Sequence, residues 1–226
     1  MATSTLIRRK LKTIYDCMAE YYGPTHWWPG DSPFEIAVGA VLTQNTAWTN
    51  VEKAIVNLKR EELLAPRAIL ECPAAALETA LKPSGYFRVK AKRLRSFCDY
   101  LVRRYGGNMA RMARQPLDRL RPELLDVNGI GPETADDILL YACEKTVFVV
   151  DAYTRRIFSR HGLVPPAIEY EALRAFFERH VAPDLHGYKE YHGLIVWTGK
   201  DFCRRKPKCK GCPLAPTLKK GQPILS

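Results

Sequence analysis

Between Leu125 and Arg156 the chain reads LDVNGIGPETADDILLYACEKTVFVVDAYTRR, and this stretch decides the fold. At its centre, Val127-Asn128-Gly129-Ile130-Gly131 sets two glycines around one apolar residue. Glycine tolerates positive φ and close backbone approach, so the spacing predicts a very tight turn between two helices. Pro132 then opens a helix at the position where its missing N–H costs nothing, and Glu133 and Thr134 suit the positive end of the helix dipole. Backbone N–H groups at such an end are free to hold an anion. Ile130 is apolar and anchors the turn against its helices, while Ala135, Ile138, Leu139 and Ala142 form an inward stripe. On these residues alone an ordinary helix–helix turn is the competing reading. Beyond them, Thr146 to Val150 is an apolar, β-branched run that propensity would make a strand. Asp151, directly before AYTRRIF, is placed to cap the next helix.

Charge narrows the partner class. The 226 residues carry 35 Lys+Arg against 24 Asp+Glu, a formal charge of +11. The excess is clustered at Arg8-Arg9-Lys10, along Arg88 to Arg95, at Arg103-Arg104 and along Arg204 to Lys210, which favours a polyanion over a generally solvated surface. Met1 to Lys10 has no apolar core behind it and no apolar run approaches about 18 residues, so neither targeting nor membrane insertion is expected. The expectation is a cytoplasmic protein, nucleoid-associated in a bacterium. The length suffices for a sizeable core in one domain or two small ones.

Upstream, Thr13 to Tyr22 reads as a helix broken by Gly23-Pro24, after which Trp27-Trp28-Pro29-Gly30 forms a loop. Adjacent tryptophans there offer flat apolar faces; the plainer reading is that one caps the core. From Phe34, FEIAVGAVLTQNT reads as a buried helix capped by Ser32 or Asp31, with Gln44 and Asn45 at its polar end. Trp48 opens a second helix, WTNVEKAIVNLKR, with Val51, Ala54, Ile55 and Leu58 on one face. Short helices fill 62 to 123. Within them, Tyr86 to Leu94 alternates basic and apolar residues, which suggests an exposed basic face. Near the C-terminus, Cys203, Cys209 and Cys212 lie among five cations. Seven cysteines, an odd number, without a secretion signal argue against a disulfide framework.

LDVNGIGPETAD followed by VFVVDAYTRR resembles the helix-hairpin-helix and the Gly/Pro-rich loop with Asp of the helix-hairpin-helix (HhH-GPD) DNA glycosylase superfamily. Trp27-Trp28-Pro29, Gly39 to Thr46, Pro83 to Leu94 and Gly129 to Ala142 are together similar to its endonuclease III-like, 3-methyladenine DNA glycosylase III branch, over most of residues 27 to 200. The resemblance implies an all-α chain of two helical domains with the active cleft between them. One is a six-helix bundle over 30–143 with its hairpin at 120–143. The other is formed by 1–29 and 144–226 and carries a Cys-rich loop at 203–218. It further implies a monomer acting on double-stranded damaged DNA. Asn128, Gly129, Ile130, Gly131 and Thr134 would hold a phosphate, and Gln44 would fill the gap left by an extruded nucleotide. Asp151 would sit in the base pocket with Trp27, Trp28 and Trp48 as stacking faces.

Two departures from the family pattern shape the expected chemistry. Bifunctional members attack the sugar with a lysine two residues after the second hairpin glycine; this chain has Glu133, and a carboxylate forms no Schiff base. The expectation is therefore a monofunctional glycosylase that uses water and Asp151, with Glu133 lining the pocket or simply stabilising a helix start. An alkylated purine such as 3-methyladenine is the favoured base, because a cationic base is drawn to π faces. The alternatives are endonuclease III-type action on oxidised or mismatched pyrimidine or uracil, and a catalytically weak DNA-binding paralogue. The second departure is in the iron–sulfur loop, where five residues separate Cys203 from Cys209, two separate Cys209 from Cys212, and Leu218 stands at the fourth cysteine's place. Three thiolates would bind a [4Fe–4S] cluster with a fourth ligand left open, Cys98 and Tyr100 being conceivable. Zinc or a metal-free remnant are the other outcomes.

Overall fold

The computed structural model describes residues 2–218 and 221–224. Met1, Lys219, Lys220, Leu225 and Ser226, which fall in the domain expected from the two termini, lie outside the described residues. Twelve α-helices run in order among the described residues: α1 (Ala2–Tyr22), α2 (Pro33–Thr43), α3 (Trp48–Arg60), α4 (Pro66–Glu71), α5 (Ala74–Leu81), α6 (Phe87–Tyr105), α7 (Met109–Ala113), α8 (Leu117–Leu125), α9 (Pro132–Asp137), α10 (Ala152–Arg160), α11 (Tyr170–His180) and α12 (Leu185–Asp201). No strand occurs among them, so the all-α expectation holds. The chain divides into two compact units, one of Pro29–Lys145 and one of Met1–Trp28 with Thr146–Ser226.

The Pro29–Lys145 unit is organised around α2. Ser32 Oγ accepts the Glu35 N–H at 3.2 Å, and Pro33 occupies the first turn, so this helix starts where its sequence says. PFEIAVGAVLT is apolar nearly all round because α2 is covered by α3, α6 and the hairpin's second helix with its π-helical continuation; Ala37, Val38, Val41 and Leu42 are fully buried. On α3, Val51, Ala54, Ile55 and Leu58 face inward as their spacing requires. The hairpin's second helix departs from regular geometry: α9 passes into one π-helical turn, Ile138–Ala142, all of it buried. Such turns concentrate at functional positions.

One expectation is corrected in α6. Lys90 belongs to no exposed basic face; it is 1% exposed, and its ammonium donates to the Leu42 and Ser84 carbonyls at 2.9 and 2.6 Å. Burial, with Arg93 as a lesser cause, pulls its pKa down to about 8. Arg95 likewise turns to the Cys72 carbonyl, whereas Arg88 and Lys92 are exposed. Lys90→Met, which keeps the stem and strands two carbonyls, is expected to cost about 2–4 kcal/mol of stability. A urea melt measures this. A variant with wild-type stability and weakened DNA binding would restore the surface reading.

In the second unit, Thr146–Val150 stays extended without becoming a strand, because among the described residues no partner strand takes its hydrogen bonds. Val147, Phe148, Val149 and Val150 are 0–1% exposed, so this run is core. Phe148 stacks on Phe177 of α11 at 4.3 Å between centroids, and its N–H donates to Glu178 Oε1 at 3.1 Å. The chain thereby leaves the core directly at Asp151.

Candidate active site and nucleic-acid interface

In the Pro29–Lys145 unit the hairpin consists of α8, the turn Val127–Gly131 and α9. Gly129 has φ +87°, and a Cβ there would collide with the Arg93 side chain, so both conformation and space demand glycine. Ile130 is 5% exposed and anchors the turn as its chemistry predicts, while Asn128 and Gly131 lie open. A buried ion pair joins the two helices: Arg121 of α8 meets fully buried Asp136 of α9 through two hydrogen bonds, 2.7 and 3.1 Å.

Gln44 caps α2 and turns onto the hairpin. Its amide N–H groups donate to Gly129 O at 3.2 Å and Thr134 Oγ1 at 2.8 Å, and its Oε1 accepts from Arg93. Here Gln44 is a brace of the turn, and service as a gap-filling wedge requires it to give up these bonds. Thr134 is 5% exposed, so it presents no side chain at the surface. Glu133 is exposed in the first turn of α9. Trp48 begins α3 half-buried, its indole N–H donating to Glu52 at 2.8 Å.

In the other unit, Asp151 is the N-cap of α10. Its Oδ1 accepts from the Thr154 backbone N–H (2.7 Å) and hydroxyl (2.8 Å), and its own N–H donates to Thr154 Oγ1 at 3.2 Å, a reciprocal capping box. One carboxylate oxygen is thus fixed by the helix start. The other, Oδ2, stands 4.0 Å from Nε2 of His192 on α12. His192 is 4% exposed, and burial first, then nearby Lys200, lower its pKa against the opposing pull of Asp151. The ring is therefore neutral at neutral pH. Sequence reasoning missed His192, since a lone histidine in an apolar helix carries no signal until the chain is folded. Gly199 lets α12 approach α10 closely; a Cβ there would fall inside the Tyr153 ring, 2.8 Å from its Cβ.

Trp27 and Trp28 share this unit with Asp151. Thr25 fixes their loop by donating its N–H and hydroxyl to buried Glu190 at 2.9 and 3.1 Å. Gly193 clears space for the loop, since a Cβ there would lie 2.6 Å from Thr25 Oγ1 and 2.8 Å from Trp27 Cβ. The two indoles meet edge to face at 5.6 Å, and the Lys200 ammonium lies over the Trp27 ring at 5.2 Å. A carboxylate, two half-buried indoles and a cation are therefore held by α10, α12 and one loop.

The Cys-rich loop is tied to α10. Arg156 donates to the Cys203 carbonyl at 2.6 Å, and Arg160 donates to the Arg204 and Arg205 carbonyls at 2.7 and 2.9 Å and to Cys203 Sγ at 3.3 Å. Both arginines face the loop. Arg204, Arg205, Lys206, Lys208 and Lys210 point to solvent. Cys203, Cys209 and Cys212 line one small cavity of about 20 Å³ together with His161 and Leu218. The three thiols converge, yet among the described residues no group of three or more His, Cys, Asp and Glu is arranged to hold a metal ion. Cys98 and Tyr100, considered as fourth ligands, are engaged in the Pro29–Lys145 unit: Cys98 is fully buried and Tyr100 donates to Glu123. Among the described residues no helix is long and apolar enough to cross a membrane.

Comparison with known proteins places this geometry. Residues 38–183 match the model of the HhH-GPD superfamily base excision DNA repair proteins. A protein of Methanocaldococcus jannaschii with the provisional name DNA repair glycosylase MJ1434 is 47% identical over 203 residues, covering 89% of this chain and 92% of that protein. Endonuclease III of Thermotoga maritima is 31% identical over 181 residues, 80% of this chain and 79% of its own. Among solved structures, the Helicobacter pylori 3-methyladenine DNA glycosylase bound to 1,N6-ethenoadenine superposes with TM-score 0.73 at 31% identity, covering 87% of this chain and 97% of that one.

Proposed function

From the premise that this chain belongs to the HhH-GPD superfamily of base excision DNA repair proteins, we propose that it is a monofunctional DNA glycosylase that hydrolyses the N-glycosidic bond of an alkylated purine. One observation carries the mechanism. Asp151 is a carboxylate locked at a helix start by its Oδ1, with a second oxygen beside a neutral, buried His192. As the glycosidic bond breaks, the sugar gains oxocarbenium character, and a fixed anion stabilises it without reorganising. The same carboxylate orients the attacking water and accepts its proton. His192, beyond hydrogen-bond range, adds no competing charge. The amine route lacks its nucleophile: Glu133 occupies the family's lysine position, and Lys90, whose lowered pKa would suit an amine nucleophile, is buried against two carbonyls.

Base choice follows from the aromatic loop. Trp27 and Trp28 lie in the unit that holds Asp151, with the Lys200 ammonium over the Trp27 ring, so a cationic alkylated purine that stacks on Trp27 takes that ammonium's place. The likeness to a purine-binding H. pylori enzyme supports this reading. Similarity to endonuclease III supports the second, a pyrimidine or uracil substrate. Assays on duplexes carrying 3-methyladenine, uracil or an oxidised pyrimidine separate them. Release of 3-methyladenine alone is expected; release of uracil alone would transfer the chain to the pyrimidine readers, and binding without release would make it a DNA-binding paralogue.

The donor set of Cys203, Cys209 and Cys212 around one cavity supports a [4Fe–4S] cluster as a structural group, and since that cavity is only about 20 Å³, binding requires the loop to open around the cluster. If bound, the cluster would fasten the loop and its five exposed cations for phosphate contact, and it takes no part in bond cleavage. Anaerobically purified protein is expected to be brown and to contain iron and sulfide. Colourless protein with zinc, or with no metal, would remove the cluster from this account.

A further inference from the structure

A second basic site lies away from the hairpin turn. An open surface pocket of about 410 Å³ in the Pro29–Lys145 unit is lined by Arg104, Tyr105, Arg111, Arg114, Gln115 and Arg119, with Gly106 in its wall. Four guanidiniums in one concavity repel each other unless anions hold them. Among the described residues, the carboxylate paired with these arginines is Glu123 on α8. Its Oε1 accepts from both Arg104 (2.7 Å) and Arg119 (3.0 Å), and its Oε2 accepts from the Tyr100 and Tyr105 hydroxyls at 3.0 and 2.5 Å. Burial raises the Glu123 pKa, but these four hydrogen bonds outweigh it and bring it to about 2, so the carboxylate stays ionised.

That one charge organises the pocket and leaves it strongly positive. Arg104 and Arg119 are drawn to the same oxygen, which brings two exposed forks together and fixes their approach. Arg111 and Arg114 are exposed and make no ion pair among the described residues. Gly106, at φ +68°, ends α6 in a conformation that favours glycine, and Arg111 Nη1 lies 3.4 Å from where a Cβ would stand. Four arginines against one acid therefore remain, and guanidinium forks match phosphate oxygens.

Position separates this site from the hairpin. Arg119 lies in the first turn of α8, and the Val127–Gly131 turn follows its last. The six helical steps from Arg119 to Leu125 span about 9 Å before the turn begins, too far for one phosphate to fill both. We propose that this pocket holds backbone phosphodiesters of the bound DNA outside the segment gripped by the hairpin, as a second, lesion-independent contact. The inference rests on the DNA partner of the family and not on the lesion or on the chemistry at Asp151.

The test is the double variant Arg111→Gln/Arg114→Gln in the full chain, checked for an unchanged melting temperature. Binding to a 30-base-pair lesion duplex is measured across a salt series, with hydroxyl-radical footprinting and single-turnover base release at saturating enzyme. Affinity is expected to fall about tenfold at 0.1 M salt, and the log–log salt slope to become shallower by about 2. A discrete block of backbone protection outside the lesion should vanish while base release at saturation stays unchanged. Wild-type slope and footprint in the variant would overturn the proposal. So would pyrophosphate binding to the wild-type pocket, seen by calorimetry, together with an unchanged DNA footprint, which would assign the site to a free phosphate ligand. Loss of base release by the wild-type protein would concern Asp151 and the proposed reaction, and would leave the footprint result standing.

Discussion

Asp151→Asn is expected to lower the single-turnover rate of base release by about 10²–10⁴-fold with little loss of folding stability. The two jobs of this residue separate cleanly in that variant. Capping needs an oxygen that accepts the Thr154 N–H, and asparagine caps as well as aspartate. Catalysis needs the negative charge, which asparagine lacks. Asp151→Ser repeats the separation with a shorter cap and should be as inactive. A variant that melts well below wild type would show the carboxylate to be chiefly structural, and an active Asn variant would remove it from the reaction.

The second large effect is on stability. Asp136→Asn leaves the largely buried Arg121 guanidinium, 15% exposed, beside a neutral amide at a fully buried position, and breaking such a pair costs about 3–5 kcal/mol. Because Asp136 and Arg121 join the two hairpin helices, the loss should appear first as local opening of α8 and α9, seen by amide hydrogen exchange, and then as a lower unfolding midpoint. Replacing both partners by apolar residues of similar volume, Arg121→Met with Asp136→Leu, should recover most of the loss. A single variant with unchanged exchange would show that the hairpin is held by apolar packing alone.

Much of this architecture was legible in the sequence because its signals are local. Gly129 and Gly131 around Ile130, Pro132 after them, Ser32 before Pro33 and Asp151 before α10 each fix a helix end through one residue's backbone chemistry. The stripe on α3 and the apolar run of α2 gave the buried faces. Other features were hidden because they depend on residues distant in sequence. Lys90 looks like a surface cation until Leu42 and Ser84 supply their carbonyls. Gln44 gains its role only when Gly129, Thr134 and Arg93 surround it. His192 becomes notable at 4.0 Å from Asp151 and has no spacing signature. The Arg pocket was invisible for the same reason, since its four arginines come from α6, α7 with its C-terminal cap, and α8, and Glu123 draws two of them together only in the fold.

In the proposed reaction Asp151 directs hydrolysis by water without an enzyme amine. This is tested most directly by one single-turnover reaction on a 3-methyladenine duplex in the presence of borohydride, with free base and covalent adduct quantified together. Stoichiometric free 3-methyladenine, an intact abasic strand and no trapped protein–DNA adduct are expected. A trapped adduct forming at the rate of base release would contradict this reaction, and would mean that a lysine of this chain does the work assigned here to water.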